Sequence, residues 1–186
     1  MKKNKSFIVI LVVILAIAGV LVSKYNKLVN LETEVDHQYS QVQVVVKRRA
    51  DLIPNLVNVV KGYAKHESDT LEKVVQARSG IDNAKNAKEL SEANNELNKA
   101  IQGLNVVVER YPDLKANTNF LDLQAQLEGS ENRISVERQR YNDTVKEYNR
   151  QVRAFPMNLF AKLFGFEKKT YFEISEEDKN VPSVNF

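Results

Sequence analysis

Apolar positions along this chain follow two spacings, one continuous and one helical. From Phe7 to Val22 sixteen residues pass without a polar side chain. Beyond them, apolar residues recur every three or four positions, the period of a helix that buries one face. The longest series places Phe120, Leu127, Ile134, Tyr141, Tyr148 and Phe155 at a constant stride of seven. That stride predicts the seam of a long helix packed against other helices.

Four helical stretches are legible after the apolar run. The first carries Leu28, Leu31, Val35, Val42 and Val45, and ends at Lys47-Arg48-Arg49, where cations suit a helix C-terminus. Pro54 disfavours helix at Ile53, and Asp51 is a suitable N-cap for a second helix. That second helix carries Ile53, Val57, Val60, Ala64, Leu71 and Val74, and closes at Ser79-Gly80. The alternative joins the first two stretches as one rod kinked at Pro54. A third helix repeats Leu90, Ala93, Leu97, Ala100, Leu104, Val107 and Tyr111 until Pro112 stops it. The fourth holds the stride-of-seven series, from about Asn117 to Arg153, and is stopped by Pro156.

The fold class is therefore all-α: one N-terminal transmembrane helix, then an antiparallel up-and-down four-helix bundle. The predicted divisions are a basic flank over 1–6, an anchor over 7–23, and the bundle over 24–153. An aromatic amphipathic tail with a C-terminal extension fills 154–186. Ala93 and Ala100 are expected to admit the aromatic side chains of the fourth helix.

As a helix the apolar run spans roughly 24 Å, and Ser6, Ser23 and snorkelling Lys5 and Lys24 extend it toward a bilayer's hydrocarbon thickness. A cleaved signal peptide would use Ala16-Ile17-Ala18, leaving an apolar mature end; an uncleaved single-span anchor is the better reading. Lys2, Lys3 and Lys5 precede the run, against Lys24 and Lys27 after it. That count favours an inside amino terminus and a bundle on the extracytoplasmic side.

Composition narrows the function classes. The chain has 27 basic and 24 acidic residues, and three of the cations precede the run. The remainder is close to neutral and offers no electrostatic case for nucleic acid. Without cysteine there is no disulfide, thiolate metal site or Cys nucleophile. His66-Glu67 begins like a zinc-protease helix, but Thr70 stands where the second histidine belongs. Gly129-Ser130 lacks the surroundings of a nucleophile elbow. No enzyme activity, cofactor or metal is expected.

Two groups remain as candidates. Arg48, Arg49, Asp51, His66, Glu67, Arg78, Glu131, Asn132 and Arg138 are the polar residues expected to interact or to hold structure, several at or near seam positions. Partly buried ion pairs that fix register are the simpler reading of them, and a polar ligand pocket the sharper one. Phe155, Leu159, Phe160, Leu163, Phe164 and Phe166 lie within twelve residues. They suit either the open end of the bundle or a membrane interface.

The strings RRADLIPNLV (48–57), VKGYAKHE (60–67), ERYPDLKAN (109–117), QLEGSENRI (126–134), RYND (140–143), EYN (147–149) and FPMNLFAKLFGF (155–166) resemble the LemA family of bacterial membrane-anchored proteins. The resemblance extends in order from Tyr25 to Phe172. It implies a single N-terminal transmembrane helix and an antiparallel helical bundle, and it supplies no reaction. Association of relatives with envelope proteins, membrane metalloproteases and organelle formation in magnetic bacteria implies an envelope role. The expectation is a membrane-anchored scaffold or adaptor, held in the lipid bilayer by its N-terminal helix and binding an envelope protein. The alternative is a ligand sensor or membrane-surface binding module using the polar residues or the tail. Oligomeric state is left open.

Overall fold

A computed structural model of the chain describes residues 2–173, with side chains from Phe7 onward. The basic flank's side chains and positions 174–186 of the predicted extension lie outside the described residues. Seven helices follow in order: α1 (Lys2–Ala50), α2 (Ile53–Tyr63), α3 (Ser68–Asn83), α4 (Ala87–Val108), α5 (Pro112–Lys115), α6 (Thr118–Arg153) and α7 (Met157–Phe160). Among the described residues there is no strand, so the chain is all-helical with a long apolar N-terminal helix. It divides into two compact units, Met1–His37 with Asp143–Lys169, and Gln38–Asn142 with Thr170–Phe186.

The larger unit is built on seam residues. Val42, Val46 and Ala50 of α1, Ile53, Leu56 and Val60 of α2, and Leu90, Leu97 and Leu104 of α4 are buried. Phe120, Leu127, Ile134 and Tyr141 of α6 are buried with them. Each of the Val, Leu, Ile and Phe side chains contributes about 1.5–3 kcal/mol on leaving water. In the smaller unit Leu28, Val35, Val145, Tyr148, Val152, Met157, Ala161 and Phe166 are buried.

Several boundaries fall where local chemistry puts them. Asn86 caps α4: its side chain accepts the Glu89 N–H at 3.0 Å. The Glu89 carboxylate in turn accepts the Lys85 backbone N–H and the Asn86 side-chain amide, a variant of the capping box that reaches one residue beyond the N-cap. Asn117 caps α6 by accepting the Phe120 N–H at 3.1 Å. Pro112 does more than stop a helix; it opens the one-turn α5, where its missing N–H costs nothing.

Six expectations need correction. The stride-of-seven series is buried through Tyr148, but Phe155 is 79% exposed, because α6 ends at Arg153 ahead of Pro156, which disfavours helix at Phe155. The expected second helix is two helices. Ala64 leaves helical geometry at ψ 64°, and Glu67 is drawn to Tyr111 and Arg110, contacts that override helix propensity. Asp51 does not cap α2, whose N-cap is Leu52 with no side-chain bond. The first two stretches are, as the four-helix reading expects, separate helices, with residues 51–52 in a turn between them. Gly80 does not close α3, which continues to Asn83; a Cβ at Gly80 would stand 3.4 Å from the Cβ of Ala93. Ala93 and Ala100 therefore face Ala77 and Gly80 across an α3–α4 groove rather than the aromatics of α6. On α1, Val46 rather than Val45 takes the fully buried position.

Ile134→Ala is expected to lower the unfolding free energy by about 2–5 kcal/mol, whereas Phe155→Ala changes it by less than about 0.5 kcal/mol. Urea unfolding of the detergent-solubilised chain measures both; equal losses would return Phe155 to the core.

The capping box also predicts a pH dependence. Hydrogen bonds from the Lys85 N–H and then the Asn86 side chain hold the Glu89 carboxyl below its ordinary 4.5. A depressed carboxyl stabilises the fold above the ordinary value and loses that contribution as pH falls through the folded one. The melting temperature should therefore fall less steeply below pH 4.5 in Glu89→Gln than in the parent chain. Identical acid slopes in the two would remove the box from the account.

Candidate functional site

The larger unit contains a polar cleft of about 490 Å³. Its floor is apolar: Leu56 of α2, Ile101 of α4, and Phe120 and Leu127 of α6. Its wall carries Arg49, Asn98, Gln102, Asn105, Glu128, Glu131, Asn132 and Arg138. Arg49 reaches this cleft from the last turn of α1, and only 5% of it is exposed. It falls at the next stride of seven after Leu28, Val35 and Val42, so helix geometry carries a cation to a seam position.

Two hydrogen bonds hold that cation. The Nη1 of Arg49 donates to Asn98 Oδ1 on α4 and to Glu131 Oε2 on α6. Its Nε is buried with no partner. Burial lowers the guanidinium's pKa, and the Glu131 carboxylate opposes that shift. The group stays charged at neutral pH, because an arginine starts far above it. Two guanidinium groups and two carboxylates, with several amides, make a balanced set of donors and acceptors. Such a cleft can hold a polar ligand by hydrogen bonds and can equally fix the register of three helices.

The remaining predicted polar residues divide between other places. Arg78 pairs with Asp82 at 3.2 Å and Asp51 at 3.9 Å, and Lys47 joins the same Asp82 at 3.3 Å. Glu67 accepts the Tyr111 hydroxyl at 3.1 Å and pairs with Arg110 at 3.0 Å. Arg48 and His66 are exposed. Arg49, Glu131, Asn132 and Arg138 are thus brought together, and Arg48, Asp51, His66, Glu67 and Arg78 lie outside the cleft. Among the described residues no group of three or more His, Asp or Glu is placed to hold a metal ion.

Two functional asparagines carried no legible role in the sequence. Asn149 accepts the Lys169 N–H and donates to the Lys169 carbonyl, both at 2.9 Å. Asn142, seven residues earlier on α6, does the same with Phe172 at 2.8 and 2.9 Å. Each side chain thereby satisfies both backbone groups of one residue in a segment without helix. Their signal was the spacing itself, present in RYND and EYN. In the smaller unit Lys169 also pairs with Glu32 at 2.8 Å and lies 5.8 Å over the Tyr148 ring. Burial, then the Glu32, Asp36 and Glu167 carboxylates, push the Tyr148 phenol up to about 12.

The six predicted interface residues are not equivalent. Phe155, Leu159 and Leu163 are 79%, 66% and 80% exposed, Phe164 is partly exposed, and Phe160 is half-buried. Phe166 is buried, with its ring edge-on to Tyr25, so it belongs to the core of its unit.

A family model described as "LemA family" matches residues 38–186. Protein LemA of Metamycoplasma hominis is 27% identical over 161 residues, covering 86% of this chain and 74% of that protein. Magnetosome protein MamQ 2 of Paramagnetospirillum magneticum is 25% identical over 186 residues, covering 86% of this chain and 68% of that one. Magnetosome protein MamQ of Magnetospirillum gryphiswaldense is 23% identical with the same coverage.

The Arg49 contacts predict an asymmetry. Glu131→Ala strands a buried cation and should cost about 1–3 kcal/mol. Arg49→Met removes the charge at similar volume and should cost less. Adding Arg49→Met to Glu131→Ala should recover stability, as read from urea midpoints. A double variant that is the sum of the singles would show that the two side chains are not coupled.

Proposed function

The chain belongs to the LemA family, and from that premise we propose that it is a membrane-anchored helical scaffold or adaptor of the bacterial cell envelope. The state of α1 carries this reading. Among the described residues α1 holds a stretch long and apolar enough to cross a membrane, and none of that window is covered by protein. Sixteen apolar residues left in water would be strongly unfavourable, and a bilayer is the solvent that removes the cost. From Leu28 onward the same helix supplies buried seam residues. Anchor and scaffold are one element. The lysine count at the two ends of the run supports an extracytoplasmic bundle, which binds an envelope protein through an exposed helical face and catalyses no reaction.

A second reading, a ligand sensor, is favoured by one observation: Arg49 is buried with an unpartnered Nε in a cleft of polar residues. A sensor would be stabilised by its ligand, and a thermal-shift screen of small polar compounds separates the two readings.

The adaptor reading is tested in cells. Photo-crosslinking residues at Val106 and Val136, 69% and 48% exposed, should recover the same envelope protein from the full chain. That protein should be lost when residues 1–23 are removed. Recovery of one partner regardless of the anchor, or of none, counts against the proposal. Because the chain lacks cysteine, a single cysteine at exposed position 83 should react with an impermeant maleimide in intact cells if the bundle is outside. Protection until lysis places it inside.

A further inference from the structure

Three exposed apolar residues of the C-terminal segment follow closely on one another, two of them on one side of a helical turn series. The Asn158 N–H bonds to the Ala154 carbonyl, Ala161 to Met157 and Phe164 to Phe160. At that pitch Leu159 and Leu163, four residues apart, lie on one face, and Phe155 is exposed just ahead of them in the turn before α7. The three are the most exposed large apolar side chains of this segment, while Met157 and Ala161 are buried. A group of this kind needs something to cover it.

Two observations identify the cover. Phe164 and Phe166 pack edge-on against Tyr25, with ring centroids 5.5 and 5.4 Å apart. Tyr25 stands three residues past Val22, the last of the apolar run, or about 4.5 Å further along the helix. The segment is therefore held at the end of the run, at the depth of lipid headgroups when that run spans a bilayer. The second observation is charge. A shallow cleft of about 620 Å³ in the same segment is lined by Arg153, Lys162 and Lys168, with Glu167 the one acidic residue among its lining.

We propose that Phe155, Leu159 and Leu163 dock into the bilayer surface, with Arg153, Lys162 and Lys168 holding the phosphates of anionic lipids. Apolar side chains flanked by cations are the composition that an anionic interface accepts. The contact gives the protein a second hold on the membrane, independent of any protein partner. It rests on the reading of Phe7–Val22 as a bilayer span.

The chain has no tryptophan, so a single introduced indole reports alone. Full-length Leu159→Trp, Leu163→Trp, Val13→Trp and Val136→Trp variants are reconstituted in phosphatidylcholine vesicles with about one third phosphatidylglycerol and acyl-brominated lipid. Val13→Trp reports the span and Val136→Trp, on α6, an exposed position of the larger unit. Quenching and blue shift at 159 and 163, with none at 136, is the expected result. Adding Arg153→Gln, Lys162→Gln and Lys168→Gln should reduce quenching at 159 by roughly half, as should high salt, where screening shortens to a few Å. Indoles at 159 and 163 as unquenched as at 136, with 13 quenched, would overturn the docking and leave the span intact. An unquenched indole at 13 would overturn both. Quenching at 159 that ignores the three glutamines and the salt would overturn the role of the cations.

Discussion

Arg49 occupies the position where an apolar residue would complete the series Leu28, Val35, Val42 on α1. A buried guanidinium is costly unless its N–H groups find acceptors. Here the acceptors come from two other helices, Asn98 of α4 and Glu131 of α6. An apolar residue at this place would tolerate sliding of its neighbours by a fraction of a turn. A planar donor fixed to two partners tolerates much less. The arrangement of α1, α4 and α6 in the larger unit is therefore specified by one polar contact and stabilised by the leucines and valines around it. The cleft exists because polar residues collected around that cation cannot close into an apolar core.

The same argument explains which parts of the fold were legible in the sequence. Helical period and the stride of seven depend only on burial of one face, and they located α4, α6 and the C-terminal end of α1 closely, whereas the anchor and the first stretch proved to be one continuous helix. The break at Ala64–Glu67 was not legible, because Gly62 is the only residue of VKGYAKHE that disfavours a helix strongly, and α2 continues past it to Tyr63. It follows from Tyr111 and Arg110, more than forty residues away, meeting Glu67. Phe155 was misread for the opposite reason: its spacing fitted the seam, but the proline after it ended the helix first. Small residues were also ambiguous. Ala93 and Ala100 mark a close approach in either reading, and only the fold shows that α3, not α6, comes near.

Of the candidate site, the sequence could indicate charges near the seam but not their partners. Arg49, Glu131, Asn132 and Arg138 come together because α1 and α6 both contribute to one cleft. Arg78 and Asp51 form a separate surface network with Lys47 and Asp82, whose exposed pairs each contribute little. Asn142 and Asn149 were missed because an asparagine in a helix is ordinarily read as a solvated or weakly unfavourable residue. Their function depends on a segment far along the chain that forms no helix and must satisfy its backbone elsewhere. Seven residues of α6 rise about 10.5 Å, and three residues of extended chain reach about 10 Å. The asparagine spacing therefore matches Lys169 and Phe172 in register.

That match constrains what the aromatic tail can do. If the segment after α7 were loose, its aromatics would be free to collapse onto any apolar surface. Asn149 instead holds the backbone at Lys169, and Lys169 is tied to Glu32 of α1. Phe166, only three residues earlier, is thereby kept against Tyr25, and Ala161 and Met157 are buried behind it. With those positions committed inward, helical geometry leaves Leu159 and Leu163 on the outer side, and Phe155 is exposed in the turn ahead of α7. The exposure of the two leucines is thus imposed by the packing of their neighbours. Exposed apolar side chains held outward beside the end of an apolar run are the surface that the proposed docking on a bilayer interface would cover without unfolding the segment that presents them.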